Sequence, residues 1–79
     1  MLRVETSFQD SPDRIHFFVL YYEGRPLEEQ LAALGLRNGD RVILWEEECD
    51  YEVEATLLFD FRHPMGMPYP ALWAKASSD

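Results

Sequence analysis

The sequence predicts a mainly β (small α+β) fold in which five short strands close into a small barrel, with one short helix between strands 2 and 3. Three observations lead there. Apolar residues alternate with polar ones in short runs separated by turn residues. One of these runs is apolar on both faces. The single helical stretch, about eight residues long, is too short to cover an open sheet.

Leu2, Val4, Thr6 and Phe8 alternate with Arg3, Glu5 and Ser7 as a half-buried first strand, and Asp10-Ser11-Pro12-Asp13 turns the chain. In RIHFFVLYY (14–22), Ile15, Phe17, Val19 and Tyr21 fall on one face and Phe18, Leu20 and Tyr22 on the other. A strand apolar on both sides needs a closed barrel, a covering helix or a second subunit. GRPLEEQLAALGL follows, with Pro26 at the first helical position and Glu28 and Glu29 at the positive end of the dipole. Leu27, Leu31 and Leu34 form one stripe, and Gly35 is placed as a left-handed cap.

Asn38-Gly39 is a turn pair, and RVILW is the third strand. Beyond the acidic stretch 46–50, Tyr51, Val53, Ala55, Leu57, Phe59 and Phe61 alternate over eleven residues, a length that demands a bend or strong twist. RHPMGMPYP (62–70) holds three prolines and a glycine and reads as a stiff connection. ALWAKA (71–76) is a last strand with Leu72, Ala74 and Ala76 on one side, and the tail at about 77–79 frays. Residues 1–79 thus read as one small domain.

Two architectures accept this order. The first is an SH3-like barrel of five antiparallel strands; the alternative is a ubiquitin-like β-grasp with the helix laid across a mixed sheet. The barrel is preferred because so short a helix covers a sheet poorly. The chain ends KASSD rather than in a diglycine tail, so conjugation chemistry has no support under either fold. LGLRNGDRVIL (34–44) resembles the Leu-Gly-Leu, two residues, Gly-Asp, apolar-strand turn of AbrB-type transcription factors and related small barrels. That resemblance implies a way of leaving a helix for a strand. The family binds DNA through a basic surface on a dimer, and this chain has no clustered Lys or Arg to carry that function.

Composition narrows the function classes. The formal charge of −8 repels nucleic-acid backbones, and the basic residues are scattered singly. No apolar h-region opens the chain and no run approaches the ~18 residues of a membrane span. A single cysteine excludes an intrachain disulfide, so a reducing, cytoplasmic setting is expected.

No catalytic residues, cofactor or metal site are assigned. Carboxylates around Cys49 should raise its thiol pKa. His16 reads as a packed or edge histidine rather than a general base, which would need a positioned partner, and His63 as a loop histidine with no partner identifiable by sequence. HPMGM offers one imidazole and two thioethers without a second His nearby. WEEECDYE lacks the ligand spacing and glycine of a calcium loop.

What remains are surfaces. Glu46, Glu47, Glu48, Asp50, Glu52 and Glu54 crowd one connection. Trp45, Trp73 and Tyr69 are residue types that dominate binding hot spots, and the stiff loop presents Met65, Met67 and Tyr69 at low entropic cost. The expected function is therefore a non-catalytic protein-binding or adaptor domain for a basic partner, with homodimerisation as a further outlet for apolar surface, and no direct nucleic-acid or membrane contact. Alternatives are a small-ligand or catalytic domain using the aromatic rim and His63, and an acidic nucleic-acid mimic.

Overall fold

A computed structural model describes residues 1–64 and 72–77. Among them lie six strands: β1 (Leu2–Thr6), β2 (His16–Tyr22), β3 (Arg25–Pro26), β4 (Arg41–Trp45), β5 (Val53–Leu58) and β6 (Trp73–Ala76). A four-residue helix, α1 (Leu31–Leu34), precedes β4, and 3-10 turns occupy Phe8–Asp10 and Leu27–Glu29. Pairing runs β1-β4-β5-β6-β2 and returns from β2 to β1, while the two-residue β3 pairs with the end of β2. The result is the expected mainly β fold, a closed five-strand barrel with one short helix, consistent with a small SH3-like barrel. Closure satisfies the strand edges that an open sheet of this size would expose.

The antiparallel pairing expected throughout holds at four seams, but β1 and β4 run parallel, with Leu2 opposite Val42 and Glu5 opposite Trp45. Parallel neighbours need a crossover of roughly a dozen residues or more, and residues 7–40, which include β2 and β3, supply it. Inward residues from every wall meet in the core: Val4, Val42, Leu44, Ala55, Leu57 and Ala74 are fully buried, with Phe17 and Val19 nearly so. Phe8, Leu27 and Leu72 join the same cluster from outside the strands.

The helix is shorter than its leucine spacing suggests. Gln30 leaves the helical region (φ −113, ψ 1), which separates the 3-10 turn from α1. Its side-chain amide donates to the carbonyls of Tyr22 and Arg25, both at 3.1 Å, tying this segment to the β2–β3 hairpin. Leu27 is completely buried while Leu31 and Leu34 are only partly so, and the stripe nevertheless faces the core as expected. Gly35 (φ 68) ends α1, with its N–H donating to Ala32 O and that of Leu36 to Leu31 O, the two bonds of a Schellman cap.

The Asn38-Gly39-Asp40 turn is pinned to β5. Asn38 Oδ1 accepts from Phe59 N at 2.7 Å, and the Gly39 and Leu57 N–H groups donate to Leu57 O and Asp40 O respectively. Strand β5 is shorter than the eleven residues its alternation suggests. Pairing stops at Leu58 and the chain turns at Asp60, whose φ is 56, so Phe59 packs on the core while Phe61 swings outside the barrel.

That swing answers the two-sided strand β2. Phe17 lies opposite Ala74 and faces in; Phe18 lies opposite Trp73 and faces out. Trp73 is only 2 % exposed yet stands apart from the barrel core. It is buried in an outer aromatic cluster, with Phe18 at 4.1 Å and Phe61 at 5.8 Å between ring centroids.

Candidate functional site

The acidic connection between β4 and β5 divides into two kinds of carboxylate. Glu46 is structural: its Oε1 accepts from Phe8 N at 2.7 Å, holding the 3-10 turn onto the barrel. Glu52 pairs with Arg3, whose Nε donates to Oε2 at 2.9 Å and whose guanidinium also lies 5.5 Å above the Trp45 ring. Glu54 faces Arg41 at 3.7 Å. Glu47, Glu48 and Asp50 are exposed and make no hydrogen bond or ion pair among the described residues. Beside them Tyr51, 56 % exposed, rests its ring 4.8 Å from Phe8. Of the aromatic and methionine candidates, Trp45 is engaged by Arg3, Trp73 is buried, and Met65, Met67 and Tyr69 lie outside the described residues. Of the six acids, Glu46, Glu52 and Glu54 are therefore engaged, and Glu47, Glu48 and Asp50 are not, among the described residues.

Cys49 is half-buried within the same connection. Burial pushes its thiol pKa up from 9.0, and the charge of Glu46, followed by those of Asp50 and Glu48, adds to the effect against an opposing hydrogen bond with Tyr51. The direction agrees with expectation, but the leading cause is burial rather than the carboxylates.

On the opposite side of the chemistry, the fold assembles a cluster that the linear sequence separates. The Ser11–His16 turn is built around Asp13. Ser11 Oγ donates to His16 O at 2.6 Å and accepts from Arg14 N at 2.8 Å, and Arg14 adopts positive φ (62) to make the turn. Asp13 Oδ1 accepts the backbone N–H groups of Ile15 (2.9 Å) and His16 (2.7 Å), an Asx-type arrangement. Its other oxygen, Oδ2, accepts from His16 Nδ1 at 2.7 Å and from His63 Nε2 at 2.8 Å. The backbone N–H of His16 is the largest influence holding this carboxyl well below the usual carboxylate range. The His16 ring, the Ile15 N–H and His63 add to it against partial desolvation.

Aromatic rings fix both imidazoles. Phe61 stacks on His16 at 4.9 Å with 9° between planes, and Trp73 lies under His63 at 5.6 Å and 25°. The His63, His16 and Asp13 side chains are only 10 %, 19 % and 27 % exposed. Lys75, opposite His16 on β6, is exposed. A cleft of about 440 Å³ adjoins the cluster through Phe61 and is otherwise lined by Glu28, Leu31, Phe59, Asp60, Arg62 and Leu72.

His16, expected as a packed or edge histidine, and His63, expected without a partner identifiable by sequence, are thus both held by the same carboxylate, which corrects the expectation for His63. Half of this was signalled locally, because Ser-Pro-Asp three residues before a strand histidine is a turn whose aspartate can reach that ring. The other half rests on a separation of 50 positions between Asp13 and His63, which no local pattern encodes. No protein-family profile, curated protein or solved structure matches the chain. Among the described residues no helix is long and apolar enough to cross a membrane.

Proposed function

We propose that the chain is a small non-catalytic binding module that engages a basic protein partner through the tip of the β4–β5 connection. The observation that supports it is the division of the acids. Glu46 and Glu52 are engaged in holding the fold, whereas Glu47, Glu48 and Asp50 remain solvated beside the exposed Tyr51 ring. Unengaged charge next to an exposed aromatic that rests on Phe8 suits a Lys- or Arg-bearing surface, which gains both Coulomb attraction and cation–π contact. The reading is narrower than the six-carboxylate patch and excludes Trp73, which is packed.

The test is capture of partners from a lysate of the source cells by the purified protein, across a salt series. Capture should weaken with salt and be lost on combining Glu47→Gln, Glu48→Gln and Asp50→Asn. Glu46→Gln, which keeps an oxygen for Phe8 N–H, should retain it. A partner held equally by the triple variant, or no partner at all, rejects this reading. The rival ligand-binding or catalytic reading gains Asp13 and His16 as companions of His63, but none of the three lines the cleft.

A further inference from the structure

We propose that Asp13, His16 and His63 form a binding site for a divalent first-row transition metal, with Asp13 Oδ2, His16 Nδ1 and His63 Nε2 as its protein ligands. The three atoms lie within 4.8 Å of one another. Both ring nitrogens already contact the same carboxylate oxygen, at 2.7 and 2.8 Å. Two imidazoles and a carboxylate are the donor set of borderline divalent ions, whereas calcium and magnesium prefer oxygen alone.

The scaffold suits ligation in three respects. Asp13 divides its oxygens: Oδ1 is tethered by two backbone N–H groups, which orient Oδ2 without using it. This is the outer-shell support that metal sites need. The rings are held by Phe61 and Trp73, so little side-chain freedom remains to be lost. The small exposure of the three side chains limits competition from water.

Zinc bound at its usual ~2.0–2.1 Å from nitrogen and oxygen sets tetrahedral ligands about 3.3 Å apart. The two nitrogen–Oδ2 separations therefore have to open by about half an ångström while the two nitrogens, which lie within 4.8 Å of each other, draw together toward that spacing, replacing two hydrogen bonds at Oδ2 with metal–ligand bonds. Neutral His16 moves its proton to Nε2 and neutral His63 to Nδ1, so the exchange requires no net loss of protons. A protonated ring would release one. Three protein ligands leave at least one position for water or an added donor.

The experiment titrates the purified full chain, freed of metal by chelator, with Zn²⁺ and with Co²⁺. One equivalent should bind, Co²⁺ should develop visible ligand-field absorption, and Zn²⁺ should raise the melting temperature while Mg²⁺ and Ca²⁺ leave it unchanged. His63→Gln and Asp13→Asn should each weaken binding by at least about tenfold. The ¹⁵N resonances of both histidine rings in the unsubstituted protein provide a readout independent of variant folding: Zn²⁺ should shift His16 Nδ1 and His63 Nε2. Absence of stoichiometric binding, or binding that leaves those two nitrogens unshifted, overturns the proposal and leaves the trio a hydrogen-bonded clamp.

Discussion

His63 Nε2 lies 2.8 Å from Asp13 Oδ2, joining the segment that follows β5 to the turn that precedes β2. The same oxygen holds His16, so a single carboxylate fastens the outer aromatic layer to the barrel.

Asp13 should consequently make the protein's acid stability depend on one residue more than on its fellow carboxylates. Its folded pKa is depressed below the ordinary 3.8, chiefly by the His16 backbone N–H. The ionised form is thus favoured by folding, and the stabilisation is fully present above about pH 4 and disappears as pH falls through the folded value. Urea midpoints measured in chelator from neutral pH downward should fall less steeply for Asp13→Asn than for the unsubstituted protein, and the two should converge at the acid end. Parallel profiles would show that Asp13 is not the linked group.

The barrel was legible in the sequence where periodicity and turn chemistry agree. Val4 and Thr6, Phe17 and Val19, Val42 and Leu44, and Ala55 and Leu57 all face inward at the alternation their strands display. Gly35 caps α1 as its position after the leucine stripe requires. Two features escaped because side-chain pattern does not contain them. The period-two run continues to Phe61, but pairing ends where backbone hydrogen bonds pass to the Asn38 turn and Asp60 takes positive φ. The parallel β1–β4 seam depends on the direction of the crossover, which hydropathy leaves undetermined. The Asp13–His63 contact belongs to the same class, since it follows from where the chain goes after β5.

Thr6 should be the most sensitive polar position in the core. It is 1 % exposed, sits where the β1–β2 register shifts between Glu5 and Thr6, and its hydroxyl donates to Phe18 O at 2.5 Å. Thr6→Val keeps the shape and removes the donor, leaving a part-buried carbonyl without this hydrogen bond. A loss of about 1–2 kcal/mol in urea unfolding is expected. Thr6→Ser retains the hydroxyl and loses only a methyl group, so its hydrogen bond to Phe18 O should survive. If both substitutions have the same effect, the hydroxyl is not what stabilises the bulge.

The hairpin Tyr22-Glu23-Gly24-Arg25 has positive φ at both central residues, 52 at Glu23 and 78 at Gly24, as a type I′ turn requires. Glutamate is poorly suited to that region, whereas asparagine tolerates it. Glu23→Asn should therefore stabilise the protein by a few tenths to about 1 kcal/mol. Gly35→Ala should act in the opposite sense by about 1 kcal/mol. A Cβ there would meet no heavy atom within 4 Å, so the penalty comes from φ alone. Thermal melts of the two single variants, shifted in opposite directions, check both.

Cys49 should resist alkylation more than its half-exposed position suggests. Burial raises its thiol pKa above 9.0, and the carboxylates of Glu46, Asp50 and Glu48 push the same way. The thiolate is the nucleophile, so at neutral pH little of the reactive form is present. The rate of iodoacetamide reaction against pH should have its midpoint above 9.0. Glu46→Gln should bring the midpoint down without restoring the ordinary value, because burial is the larger cause and the variant keeps the oxygen that binds Phe8 N–H. Added salt should lower it in the unsubstituted protein by screening the carboxylates, and a midpoint at or below 9.0 in low salt would remove the physical basis for calling this thiol unreactive.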